Sequence, residues 1–419
     1  MNIRDYAAHS CGGADWTQAF LCAIDDLRAQ GGGVLTVPAG VYPTGSIRLY
    51  DNMTLVVEAG ATLRFHQDEN AFPIIMGEYE GNAGLVYQAC IYAEDAKNVT
   101  VTGNGTLDGQ GEYWWNQART HTLKHPRPHL VCFNRCERVV LENLNLINSP
   151  VWTVHPLRCR NLVVRGLNIC NPYESPNTDG IDPDGCQDVR ISDCTIDVGD
   201  DCIAIKSGTE KTPDRWCSDR IIITNCHFLH GHGGVVLGSE MSGGVRNVAV
   251  SSCVFYGTDR GVRLKTRRGR GGKVEGIQLT NLVMEKVVCP FVFNMYYGGR
   301  MALPEEKYYW DKEPLPVDER TPQLRDVSIT GVRARGVTGS AGFFYGLPEM
   351  HVEDVSIRDV VVEMGDGYVE ESGMMAEPPV LVKAGFYLRN ASNVELRDVS
   401  VVNAATKILL IDDSVNLAE

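Results

Sequence analysis

A chain of 419 residues that is 43% apolar can bury a sizeable core, and it has no apolar run long enough to cross a membrane as a helix. A net charge of −14 disfavours nucleic acid as a partner but leaves an anionic small substrate open, because local charge decides binding. Fourteen Cys occur without a C-x-x-C pair, which weakens zinc and redox readings and makes most of them small buried apolar residues.

The chain begins "MNIRDYAAHSCGG", with no basic region followed by an apolar one. No secretory signal is read there, so a cytoplasmic protein is expected if this start is native. "DWTQAFLCAIDDLRAQGGG" follows. Its Trp16, Phe20, Ile24 and Leu27 recur at helical spacing, with Asp15 as N-cap and the glycines at 31–33 as the stop. Residues 34–63 then supply the first strands and turns.

A short theme recurs from there on. The clearest copies are "NLVVRGL" (161–167), "DVRISDC" (188–194), "IIITNC" (221–226), "NVAVSSC" (247–253) and "GIQLTNL" (276–282). Their last residues, Leu167, Cys194, Cys226, Cys253 and Leu282, are 27, 32, 27 and 29 residues apart. Each copy alternates β-branched residues with period two and ends in a Gly- or Asp-rich turn, and no helical pattern fills the gaps. The expected fold is all-β: a right-handed parallel β-helix, a solenoid with one repeat per coil, its open first coil covered by the short N-terminal helix. Residues 1–419 read as a single domain, with 1–33 forming its N-terminal strand and cap. Cys194, Cys226 and Cys253 are expected to stack inside as free thiols. Two aromatic-rich stretches break the repeat, 105–130 ("GEYWWNQ") and 298–323 ("KYYWDKEPLPVDERTP"), with 365–386 less distinctive; these are expected to be loops on the binding face.

The chemistry lies in the middle coils. Asp179 sits at one turn–strand junction, and Asp200 and Asp201 at the comparable place on the next coil. Neighbours on a straight strand point oppositely, so Gly199 is expected to provide the bend that turns both inward to one cleft. Clustered carboxylates serve glycoside hydrolysis or bind a hard cation. For Asp182, Asp184, Asp188 and Asp193 the turn-forming role of Asp is the preferred reading. His232 lies between Gly231 and Gly233, where small neighbours allow a ligand to approach, although a lone His is more often structural. Arg263 and Lys265 fall on one side of a strand, suited to a substrate carboxylate. Arg267, Arg268, Arg270 and Lys273 continue the basic run and read equally well as a solvated turn.

Taken together, "NTDGID" (177–182), "GDD" (199–201), "GHG" (231–233) and "RLK" (263–265) resemble, in order and spacing, the signature motifs of the polygalacturonase family, glycoside hydrolase family 28. The resemblance implies an inverting hydrolase with Asp201 as general acid and Asp179 and Asp200 activating water. It implies that His232 supports the protonation state of the acid, and that Arg263 and Lys265 hold a galacturonate carboxylate. It further implies that Asn177 positions the substrate or the turn, and that Tyr297 in "FVFNMYYGG" binds substrate, with Tyr296 beside it leaving the register open. Glu240 in "GSEMSGG" is nearby without an implied role. No cofactor and no metal is implied. The partner is an anionic, galacturonate-containing oligosaccharide, with neither nucleic acid nor membrane, and no lateral stripe indicates an oligomer. Within the family, exo-action on oligogalacturonides is expected, the aromatic insertions walling off one end of the groove. Hydrolysis of galacturonosyl–rhamnose bonds and endo-action are the alternatives. A calcium-dependent pectate lyase and a non-catalytic carbohydrate-binding β-helix stand behind them.

Overall fold

Many corners of the coil are turned at residues of positive φ, and the repeat places such residues regularly. Asn98, Arg138, Asn161 and Asp188 (φ 57°, 57°, 56° and 60°) occupy one series of corners, and Asn143, Gly166 and Asp193 (55°, 61° and 58°) a second. Asn, Asp and Gly enter this left-handed region most easily. Asp188 and Asp193 therefore do the turn-forming work expected of them.

The computed structural model describes residues 1–298, 306–366, 371–375, 377–411 and 415–418, in two compact units, Met1–Asp200 and Asp201–Glu419. The first unit is three parallel ladders visited in turn. One ladder runs through Gly33–Val37, Met53–Val57, Lys97–Thr102, Glu137–Glu142, Arg160–Arg165 and Gln187–Ser192. A second runs from Gly40–Thr44 through Ala61–Phe65 to Thr195–Asp197. The third joins Ile47–Leu49, Ile91–Glu94, Val131–Asn134 and Val154–Leu157. In the second unit one ladder runs from Ser218–Thr224 to Ala391–Val402, and another from Asp201–Ile205 through Gly233–Leu237, Arg260–Lys265 and Cys289–Asn294 to Leu409–Ile411. Each unit is thus a parallel β-helix, wound in the right-handed sense that parallel crossovers take.

The interior is filled by the alternation seen in the repeat. Val139, Leu162 and Val189 are register partners, as are Leu141, Val164 and Ile191, and all are buried. Each such side chain contributes roughly 1.5–3 kcal/mol of burial. Cys194, Cys226 and Cys253 are buried as expected, each thiol donating to the carbonyl two residues back, at Ser192, Thr224 and Ser251. A second series, Cys136, Cys159 and Cys186, was not singled out from the sequence. Cys159 and Cys186 donate to Phe133 O and Pro156 O of the preceding coil at 3.2 and 3.1 Å. The recurring "CERVV", "CRNLV" and "CQDVR" carried that signal. All fourteen thiols are free.

The cap helix spans Thr17–Ala29 and buries Phe20, Ala23, Ile24 and Leu27 against the first strands. Trp16 is its N-cap residue. Asp15 caps from one position earlier, its Oδ1 accepting from Thr17 N and Oγ1 at 2.9 and 2.6 Å. The stop depends on Gly32, where a Cβ would lie 2.5 Å from Asn52 O.

Three features differ from expectation. Ile74–Tyr79 and Asn82–Tyr87 form an antiparallel hairpin turned at Glu80 and Gly81, both at positive φ. It lies over the outer face of the third ladder, where Ile75 packs on Ala89, Tyr92 and Cys132, and a buried Glu78–Arg158 ion pair ties it down. The stretch 105–130 is not simply a loop, since Gly111–Arg119 is a helix with Trp114 and Trp115 buried. The stretch 298–323 contains the short helix Glu306–Trp310; its residues 299–305, and residues 367–370 and 376 of the third stretch, lie outside the described residues.

Candidate active site

In the first unit, residues 179–184 run beside Val154–Leu157 and extend the third ladder by one rung. Thr153 N donates to Asp179 O at 2.8 Å, and Asp182 N to Val154 O at 2.8 Å. Asp182 and Asp184 are therefore buried rung residues, not turn formers, which corrects their reading. Asp179 is 3% exposed. Just before it, Asn177 adopts φ 56°, and its Oδ1 accepts from Arg127 Nη2 at 2.8 Å. Arg127 also donates to Pro150 O and Pro176 O at 2.9 and 2.8 Å. This buried guanidinium fixes the loop that carries Asp179. Sequence reasoning missed it, because "KHPRPHL" has no repeat phase.

Tyr79, from the hairpin, stacks on Trp152 at 5.9 Å. Burial pushes its hydroxyl well above the usual tyrosine range, with Glu80 and Asp179 adding to the rise and Arg127 opposing it. Carboxylate oxygens of Asp179 and Asp200 come within 4.8 Å of each other. Gly199 makes that possible by close approach: a Cβ there would lie 2.4 Å from Ser175 O. Its φ is not left-handed.

In the second unit, Asp201 opens the strand Asp201–Ile205 and is fully buried. Its register partner is Gly233, where a Cβ would lie 2.5 Å from Val236 Cγ2 and 3.2 Å from Asp201 Oδ1. His232 is half-buried, one residue before. Lys265 Nζ donates to Asp201 Oδ2 at 2.6 Å. Burial lowers the Lys265 ammonium, but Asp201 and Tyr297 outweigh it and hold the group above its ordinary value. Arg263 is 1% exposed, and its Nε and Nη2 have no hydrogen-bond partner among the described residues. A buried guanidinium with two idle donor nitrogens is a ready receptor for an anion. The Tyr297 ring lies 5.1 Å from both Arg263 and Lys265. Tyr296 is buried elsewhere, its hydroxyl donating to Asp311 O at 3.0 Å, so the aromatic facing the basic pair is Tyr297.

The rest of the basic run is not a solvated turn. Arg268 is fully buried and grips both oxygens of Glu349, at 2.6 and 2.8 Å. Arg267 and Arg270 share Glu210. Only Lys273, 3.9 Å from Glu275, keeps a half-exposed position.

Glu240 pairs with buried Lys206 at 3.2 Å. Burial raises its carboxyl, but Lys206, Arg270 and Lys265 together hold it down at about 2 against an ordinary 4.5. A depressed carboxyl stabilises the fold above its unfolded value and loses that contribution as pH falls toward its folded value. Urea titrations are therefore expected to show wild type losing on the order of a few kcal/mol between pH 5 and pH 2, a loss missing from Glu240→Gln. Parallel pH curves for the two proteins would contradict this.

Residues 33–377 match the family model described as glycosyl hydrolases family 28. The chain is 33% identical to a probable polygalacturonase of Vitis vinifera over 360 residues, covering 83% of this chain and 71% of that one. It is 32% identical to an endo-polygalacturonase of Pectobacterium carotovorum over 273 residues, covering 62% and 66%. Among solved structures it is similar to a hyperthermoactive exopolygalacturonase from Thermotoga maritima, with 32% identity, a TM-score of 0.77, and coverage of 95% of this chain and 91% of that one. With a family model spanning most of its length and an idle buried arginine beside a lysine–aspartate pair, the chain belongs to glycoside hydrolase family 28 and is a hydrolase.

Proposed function

We propose that this hydrolase cleaves α-1,4-galacturonosyl linkages of pectin-derived oligogalacturonides from a chain end, with inversion at the anomeric carbon. The observation that carries the substrate class is the buried Arg263, with Nε and Nη2 unpartnered, beside Lys265 and under Tyr297. A neutral sugar gives such a pair no charge to bind, whereas a uronate carboxylate does. Relatives named polygalacturonase support the same class.

In the proposed reaction Asp201 gives its proton to the glycosidic oxygen as the bond from C1 breaks. Water adds to C1 from the opposite face, and its proton passes to Asp179 or Asp200. Asn177 holds the turn that presents Asp179, and His232 supports the protonated acid. Lys265 serves two partners in sequence. In the free protein it is bound to Asp201; a substrate carboxylate that recruits it leaves Asp201 without an ammonium, ready to hold the proton it must donate.

The proteins it resembles include one named exo-acting and one named endo-acting. Exo-action is favoured by the hairpin, which covers the outer face of the third ladder and stands Tyr79 against Trp152 beside the loop of Asp179. Purified oligogalacturonides, followed over time by ion-exchange chromatography, are expected to release monogalacturonate from the first time point. Replacing the hairpin with a short Gly-Ser turn is expected to yield mixed oligomers instead. A ladder of mixed oligomers from the wild type would mean endo-action, and no cleavage at all would shift the substrate to galacturonosyl–rhamnose bonds.

A further inference from the structure

Beneath the hairpin, three side chains meet that the proposed hydrolysis does not use. Cys132 and His155 are register partners on adjacent strands, so their side chains leave the same face of the third ladder. His129 enters from three residues before Cys132. One ligating atom from each of the three lies within 4.8 Å of the others, and all three residues are buried. The two imidazole rings are 4.6 Å apart, centre to centre. Nε2 of His129 has no hydrogen-bond partner among the described residues, although buried ring nitrogens ordinarily find one. Between these side chains and the hairpin is a cavity of about 20 Å3, lined also by Glu78 and Asn134. A water needs roughly 10–15 Å3, so the space suits one water or one ion and excludes a sugar.

A stack of buried aromatic rings, with Tyr79 and Trp152 as neighbours, would explain the imidazoles' packing. It does not explain why a thiol joins them or why a ring nitrogen faces a cavity without a partner. We propose that His129, Cys132 and His155 form a binding site for a borderline-soft divalent cation, with zinc the best match. Two imidazoles and a thiolate are a zinc donor set, and the cavity is of a size to take the cation. Metal bonds of roughly 2.0–2.3 Å ask the three side chains to close slightly, a movement that side-chain rotation supplies. Asp184 Oδ2 lies 3.6 Å from His155 Nε2, a place from which a carboxylate orients a ligating imidazole. On binding, the Cys132 S–H bond breaks, the sulfur bonds the cation, and one proton is released to solvent. The sequence does not reveal the site, because His155 comes from a different coil than His129 and Cys132 and meets them only through strand register.

The test is a Co2+ titration of reduced, metal-free protein in which the exposed Cys11 and Cys170 are replaced by Ser. One equivalent of Co2+ is expected to produce a thiolate-to-cobalt charge-transfer band, which one equivalent of Zn2+ then removes. Cys132→Ser should abolish the band, and His129→Gln should weaken binding by roughly 10-fold or more; circular dichroism confirms that each variant is folded. Absence of the band, or its survival in Cys132→Ser, overturns the proposal. Should Cys132→Ser not fold, an unchanged affinity in His129→Gln overturns it equally. Cation binding by carboxylates alone gives no thiolate band and so counts against it.

Discussion

Asp201→Asn is expected to slow turnover of oligogalacturonides by about 10²–10⁴-fold at saturating substrate, the range a positioned general acid supplies. The change keeps shape and one acceptor oxygen but removes the proton that must reach the leaving oxygen. It also leaves the buried Lys265 ammonium facing an amide. Breaking a buried ion pair from one side costs roughly 3–5 kcal/mol, so a melting curve must accompany the kinetics. A folded Asp201→Asn protein with the turnover of wild type would remove Asp201 from the chemistry and revive a non-catalytic carbohydrate-binding β-helix.

Arg263→Lys is expected to lower kcat/KM by about 10- to 100-fold, since a hydrogen bond to a charged group contributes roughly 1.5–3 kcal/mol. Charge is conserved in this variant, so only the forked donor geometry is lost. The idle Nε and Nη2 of Arg263 are where that geometry would be used. Steady-state kinetics on a trimer separates the outcomes. A loss confined to KM means uniform binding, and a loss shared by kcat means contact that tightens in the transition state. An unchanged kcat/KM would place the substrate carboxylate elsewhere.

Much of this was legible because it repeats. Period-two alternation over "NLVVRGL" and its copies dictates strands wherever one face is buried, and helical spacing of Trp16, Phe20, Ile24 and Leu27 dictates the cap. The hairpin was not legible. Gly77 and Gly84 interrupt its alternation, and Glu80-Gly81 is a weak turn signal beside Asn-Gly. The nine residues of Gly111–Arg119 are too few for a clear helical period. Among the residues proposed for the reaction, Asp179, Asp200, Asp201, Arg263 and Lys265 were readable as motif positions. Arg127 was not, because its partners lie 23 to 50 residues away. The basic run misled for the same reason: its carboxylates, Glu210 and Glu349, stand far off in sequence.

The Lys265–Asp201 pair also has a consequence for discrimination. A neutral galactan of similar outline could fill the groove and still leave the ammonium seated on Asp201, so the enzyme would hold that ligand in an unreactive complex. Under the proposed mechanism, only a sugar bearing its own anion at the right distance would exchange partners with the aspartate and thereby arm it. Selectivity would then be exercised in the rate of bond cleavage more than in the strength of association, and a near-miss polysaccharide would act as a reversible competitor that is never cut.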